Sequence, residues 1–318
     1  MCSCNSVHGR DGSPHEVRTE GLSMTQTRRR SMEAILLVMP ALAAVMLVLL
    51  LPTLNSLRMS LTNFSLSRPG PFDFVGLQNY RAALRIGEFQ RSIRNTFVFT
   101  AVGVMFQVSL GLVLALLLNR ALKLRGLLRA TILFPWALPT ALNAIVWRWM
   151  YNADLGVFNF LLLQSGLVQQ RINWLGASNL AMGSMIFVAV WKTSSFMALI
   201  ILTGLQTIPD DLYEAAIIDG ASPWQRFRRI TFPFVAPAIV LSMLLRSMDA
   251  FRAFELPFTL TEGGPAGTTQ TISLYGYRQL FQFLNFDRGS AVAVLQFLML
   301  LVLGIVYIVI LRKREKAL

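Results

Sequence analysis

Residues 214–233 read EAAIIDGASPWQRFRRITFP, a charged stretch set between two of the most apolar segments of the chain. Glu214, Asp219, Arg226, Arg228 and Arg229 supply the charge, and Gly220, Pro223 and Pro233 break it into pieces. Local chemistry predicts two short helices joined by a hinge. In TIPD, residues 207–210, Thr207 offers an N-cap oxygen and Asp210 the acid three positions on; Asp210 and Asp211 also suit the positive end of a helix dipole. Gly220 can take the left-handed turn that closes a helix. In SPWQ, residues 222–225, Ser222 can cap, Pro223 fits the first helical position and Gln225 can reach back. The three arginines then fall toward the C-terminal end of the second helix, where cations are favoured. Pro233 and Pro237 mark the start of the next apolar run. The blander reading is a solvated connection with capped ends, but a floppy connector needs neither caps nor a hinge. A shaped surface here points to docking of a soluble partner.

The sequence around this loop is suited to lipid. Of its 318 residues 54% are hydrophobic and only 14% charged, with mean hydropathy +0.55. Soluble domains carry roughly 45–50% apolar and about 25% charged residues. The scarcity of charge decides the class, because a water-facing surface needs it. The net charge of +13 does not form a nucleic-acid footprint, since the arginines gather at the ends of apolar runs, where they signal topology.

A membrane-spanning helix needs about 20 apolar residues. Six segments qualify, at approximately 34–54, 96–118, 127–149, 180–205, 235–257 and 290–311. The expected fold is therefore an all-α integral membrane protein with six transmembrane helices. Pro40, Pro135 and Pro139 fall inside these runs, which a membrane tolerates when neighbouring helices satisfy the freed carbonyls.

Residues 1–31 are polar and without periodicity, and predict a disordered tail. Residues 32–95 would hold the first span and the segment after it, 96–311 the membrane core with the loop 207–233, and 312–318 a short tail. Met24 precedes TQTRRR and could serve as an alternative start. Arg28–Arg30 resemble the basic region of a signal peptide, but the apolar run continues too far and predicts a retained anchor. Cys2 and Cys4, beside His8 and His15, lack the paired four-ligand spacing of a structural zinc site, so no metal is expected.

Lysines and arginines in short loops set orientation. One side would hold Arg28–Arg30, then Arg120, Lys123, Arg125 and Arg129, then Arg226, Arg228 and Arg229, and finally Arg312, Lys313, Arg314 and Lys316. The other side holds Arg171, Arg278 and Arg288, with Arg68, Arg81, Arg85, Arg91 and Arg94 in the first loop diluting the bias without reversing it. Both termini and the 207–233 loop are expected on the cytoplasmic face.

Arg246, Asp249, Arg252 and Glu255 alternate in sign every three residues within the predicted fifth span, so neighbours could meet on a helix surface. With a rise of 1.5 Å per residue, Arg246 would lie roughly 16 Å deep. Lys192 in the fourth span lies at a similar depth. Each such charge costs at least about 2.5–3.5 kcal/mol at the bilayer centre, so these groups should face a cavity or one another. Two readings stay open. The charges form an ion-paired ladder or gate between helices, or they line a polar pathway, with Trp147 and Trp191 as flat stacking surfaces along it or as ordinary packing and interfacial residues.

Glu214-Ala215-Ala216, three residues, Gly220, nine residues, Ile230, one residue, then Phe232-Pro233 resembles the signature loop of ABC-importer permeases. Phe232 replaces the usual leucine. The similarity extends over roughly 31–311, where WKTSSFMALIILTGLQTIP (191–209), DGA (219–221), LTEGGP (260–265) and FVGLQNY (74–80) look like the carbohydrate-uptake branch, with a MetI-like core. The resemblance implies a bacterial inner-membrane subunit that pairs with a second permease. The tail RKREKAL suggests the first member of a heterodimer. It further implies two copies of a cytoplasmic ATPase, which would carry the ATP and Mg, and an extracytoplasmic solute-binding protein. Glu214, Ala215, Ala216, Asp219, Gly220, Ile230 and Pro233 would form the coupling element, and alternating access would move the solute. The alternative solute is a glycerol phosphate or polyol, since arginine could equally bind phosphate.

The chain is not expected to be an enzyme. None of its four lysines follows a glycine, so no G-x-x-x-x-G-K-[ST] phosphate loop exists, and both histidines lie in the tail, so no H-E-x-x-H is possible.

Overall fold

The computed structural model describes residues 24–66, 73–119 and 125–315. Cys2, Cys4, His8, His15, Arg68, Arg120, Lys123 and Lys316 lie outside the described residues, as does most of the 1–31 tail. The chain divides into two compact units, Met1–Leu54 and Asn55–Leu318.

The first unit contains α1 (Met24–Val45), a π-helical turn at Met46–Leu50 and the first residues of α2 (Leu51–Ser60). Ile35–Ser60 is long and apolar enough to cross a membrane. Residues 24–31, expected without structure, already belong to the helix. Met, Gln and Arg are good helix formers, so the turn preceding the apolar run continues it.

In the second unit the described elements are helical, except for an isolated bridge between Thr62 and Phe74. Helix α3 (Gln78–Arg85) is followed by the long α4 (Gly87–Asn119) and by α5 (Arg125–Ala137) and α6 (Thr140–Met150). Next come α7 (Val157–Gln164), α8 (Ser178–Leu205), α9 (Asp210–Ile218) and α10 (Pro223–Phe251). The chain closes with α11 (Glu255–Leu260), α12 (Ile272–Tyr277) and α13 (Phe286–Glu315).

The core is α4 packed along α8, with α10 against both. One face of α4 is buried at helical spacing and is rich in small or polar residues, including Ser92, Thr96, Gly103, Gln107, Gly111 and Ala115. Its opposite face exposes Phe97, Met105, Phe106, Val113 and Leu117. Lipid is as apolar as leucine, so burial of hydrophobes does not drive helices together there; small residues that allow close backbone approach do. Gly111 marks that approach. A Cβ at this position would sit 2.6 Å from the Cβ of Met197 and 3.1 Å from the carbonyl oxygen of Ser194.

Among the described residues five helices are long and apolar enough to span, and a sixth crossing exists only if a bent pair is counted as one. That pair is the predicted straight span 127–149. Its halves, Gly126–Ala137 and Thr140–Met150, meet at 89°. Pro139 at the junction has no N–H, and it biases Leu138 away from helical conformation. The predicted 96–118 span begins earlier, at Gly87, which places Arg91 and Arg94 on its first turns rather than in a loop. The predicted 235–257 span shifts to Pro223–Phe251.

Replacing Gly111 by Val should force Met197 and Ser194 apart and destabilise the α4–α8 seam by about 1–3 kcal/mol, as overpacking does. Thermal unfolding of the detergent-solubilised protein measures this. Gly304→Val, where a new Cβ meets nothing within 4 Å, is the matched control and should leave the melting temperature nearly unchanged.

Candidate functional site

The segment linking α8 to α10 is a rigid elbow. Helix α9 carries Glu214, Ala215 and Ala216, with Glu214 and Ala215 exposed. It ends where Gly220 adopts φ +74, the left-handed conformation glycine takes without a Cβ clash. The N–H of Ala221 donates to the Ala216 carbonyl at 2.9 Å and that of Gly220 to Ile217 at 3.0 Å, a Schellman closure. Ser222 then forms the full capping box: its hydroxyl accepts from the Gln225 N–H, and the Gln225 side chain accepts from the Ser222 N–H at 2.7 Å. The elbow is tied to the core by buried Ile208, by Ile230 and Tyr213 packing on the main cluster, and by a 2.9 Å hydrogen bond between the Tyr213 and Thr231 hydroxyls. Its surface exposes apolar side chains, Ile218 at 86% and Trp224 at 67%, beside the exposed charges of Glu214, Asp219, Arg228 and Arg229.

Two details differ from expectation. Thr207 is not a cap; Pro209 occupies that position, and the Thr207 hydroxyl donates instead to the Gly204 carbonyl. The residue before a proline avoids helical conformation, so α9 cannot begin at Ile208. Nor is there a separate second helix. Pro223–Arg226 passes through a π-helical turn at Phe227–Thr231 directly into the span, so Arg226, Arg228 and Arg229 lie on a continuing helix rather than at a C-terminal end. Phe232 donates to the Phe227 carbonyl, five residues back, just ahead of Pro233, whose ring nitrogen has nothing to donate.

Five of the seven residues expected along a pathway converge on one cavity of about 520 Å³: Lys192 from α8, Arg246 and Asp249 from α10, Arg252 and Glu255. Phe99, Trp136, Thr140 and Phe254 complete much of its wall. The charges do not form a continuous ladder, because α10 stops at Phe251 and Glu255 begins α11. Arg246 donates through Nε to the Gln107 side-chain oxygen at 2.7 Å, across the helix seam. Asp249 and Arg252 pair at 3.1 Å with both side chains more than half exposed, which limits that bond's contribution. Glu255 makes no ion pair among the described residues.

Lys192 is 9% exposed and faces the break in the third span. Its ammonium donates to the carbonyls of Leu138 at 2.7 Å and Trp136 at 3.1 Å. The Trp136 ring stacks on Phe196, with planes 10° apart and centroids at 5.2 Å.

Trp147 and Trp191 lie outside this cavity. Trp147 is 6% exposed within an aromatic cluster of Tyr151, Phe158, Phe187 and Trp191, the two indoles meeting edge to face at 5.3 Å. The tryptophan in the charged cavity is instead Trp136, which sequence reasoning passed over. Its position between Pro135 and Pro139 was the available signal, since a broken span is where backbone and side chains turn inward.

With this geometry in view, the chain matches the model of the "binding-protein-dependent transport system inner membrane component" over residues 107–317. It is 41% identical over 283 residues to the trehalose/maltose transport system permease protein MalF of Thermococcus litoralis, covering 88% of this chain and 94% of that protein. It is 36% identical over 282 residues to the sulfoquinovosyl glycerol transport system permease protein SmoG of Agrobacterium fabrum, covering 89% and 91%. It is 34% identical over 297 residues to the trehalose transport system permease protein SugA of Mycobacterium tuberculosis, covering 92% and 94%. The fold matches a chain of a bacterial ABC transporter that imports alginate, with TM-score 0.79 and 22% identity over 91% of this chain and 98% of that one. The chain is thus a member of the binding-protein-dependent transport system inner membrane components, the multi-pass permease subunits of ABC transporters.

Proposed function

We propose that this subunit forms half of a sugar pathway through the membrane and that the α9 elbow transmits the power stroke. The observation that carries the reading is the mixed cavity itself, in which guanidinium, carboxylate, hydroxyl and indole groups converge around α8 and α10. Sugar hydroxyls both donate and accept, and this wall offers both functions. The named solutes of the relatives, trehalose, maltose and sulfoquinovosyl glycerol, favour a glycoside over a simple polyol or glycerol phosphate.

In this reading both termini and the elbow face the cytoplasm of a bacterial inner membrane. Ile217, Ile218 and Trp224 enter a cleft on a cytoplasmic ATPase, with Glu214 and Asp219 at its rim. Two ATPase copies bind the ATP and Mg, a second and different permease completes the pathway, and an extracytoplasmic binding protein supplies the solute. A stiff elbow is what such coupling needs, since a flexible one would absorb the motion. The capping box, the Schellman closure and the Tyr213–Thr231 bond supply that stiffness.

In the assembled transporter, Glu214→Ala or Gly220→Val should lower solute-stimulated ATP hydrolysis by tenfold or more, while binding-protein affinity for solute stays at its wild-type value. Normal coupling in both variants would remove the docking role. Asp249→Asn and Glu255→Gln each weaken a charge-assisted contact to solute, worth about 1.5–3 kcal/mol, so apparent KM for transport should rise about tenfold or more. Wild-type KM with only a lower melting temperature would assign these carboxylates to helix packing.

A further inference from the structure

The bent third span presents a problem that its own backbone cannot solve. A continuous helix would give the Trp136 carbonyl the N–H of Thr140 and the Leu138 carbonyl the N–H of Leu142, but an 89° bend takes those donors away. At membrane depth such backbone is tolerated only where the protein or a polar cavity supplies the missing partners. Lys192 poses the complementary problem, an ammonium carried on an apolar helix. The two meet: Nζ donates to Leu138 at 2.7 Å and to Trp136 at 3.1 Å. One turn further along α8, Phe196 stacks on the Trp136 ring and clamps the same end of α5. The far end of α6 is held separately, where Arg148 pairs with Glu262 at 3.0 Å and donates to the Thr259 carbonyl at 3.3 Å. The arm α6 thus meets α8 at the bend and the end of α11 at its tip.

We infer that Lys192 is a positioning residue: its ammonium caps the broken end of α5 and sets the bend that makes Trp136 and Thr140 one wall of the charged cavity. A cation at a helix C-terminus also answers the negative end of the helix dipole. Lys192 therefore shapes the passage through other residues rather than by holding solute with its own charge. The consequence for transport rests on the cavity being the solute passage, but the geometry does not.

Spin labels at Leu127 and Val146, exposed on α5 and α6, report the bend in the assembled complex in lipid nanodiscs, with Cys2 and Cys4 replaced by Ser. By helix rise alone the labelled positions lie roughly 20 Å apart when bent and about 28 Å apart if the span straightens. Lys192→Met should lengthen and broaden the distance with no solute present. Lys192→Arg, which retains donors for both carbonyls, should restore it. A wild-type distance in Lys192→Met overturns the inference, and if KM for solute also rises several-fold the lysine is a solute ligand. Should Lys192→Met fail to assemble, Lys192→Met with Pro139→Ala decides. Alanine permits a continuous helix whose own N–H groups satisfy both carbonyls. Recovered assembly in the double variant supports the cap, and assembly as poor as in the single variant overturns it. Loss of sugar transport in wild type with an unchanged pattern of distances would sink the sugar reading and leave the cap standing.

Discussion

In hydrocarbon, a backbone carbonyl that leaves its helix must be met by a donor from the protein, and the membrane core of this chain is organised around that constraint. Wherever a helix stops or breaks beside the charged cavity, a side chain distant in sequence supplies the donor. Lys192 serves Trp136 and Leu138. Gln296 donates to the Phe251 carbonyl at 3.1 Å, at the end of α10, and Thr271 to the Ala253 carbonyl at 2.8 Å in the turn that follows. These contacts allow irregular backbone at the cavity, and irregular backbone is what brings Arg252, Glu255 and Trp136 into one wall.

The same contacts explain why a greasy chain carries isolated charges. Only one ion pair joins the ionisable residues of the cavity among the described residues, that of Asp249 with Arg252. Lys192 and Arg246 are instead held by neutral acceptors, two carbonyls and the amide of Gln107. Both cations are therefore anchored by neutral dipoles rather than by ion-pair contacts. A closed ladder of alternating charges would have paired these groups with one another instead.

The elbow follows a different rule. Its helix ends are closed by local side chains and by glycine geometry, and its attachment rests on a few contacts around Tyr213. Membrane core and elbow meet without a joint, because α10 runs from Pro223 to Phe251 through the π turn. One end of that helix carries the loop, and the other carries Arg246 and Asp249 into the cavity wall. One continuous helix therefore joins the loop to the cavity wall.

What the sequence determined by itself is whatever depends on neighbours in the chain. Apolar run length marked the spans, the Ser222–Gln225 box and the Gly220 turn marked the elbow, and EAA-to-proline spacing marked the family. Each signal lies within a few turns of backbone. The tertiary structure decided what depends on partners far along the chain. Thr207 offered a cap that the conformation imposed by Pro209 left unused. Trp147 and Trp191 had the right chemistry and packed elsewhere, while Trp136 entered the cavity because an 89° bend turned it inward. Lys192 contacts carbonyls 54 and 56 positions away, and Arg246 an amide 139 positions away. In lipid almost any apolar face packs acceptably against another, so the hydrophobic pattern that placed each helix could not choose its neighbours; buried polar groups seeking partners made that choice.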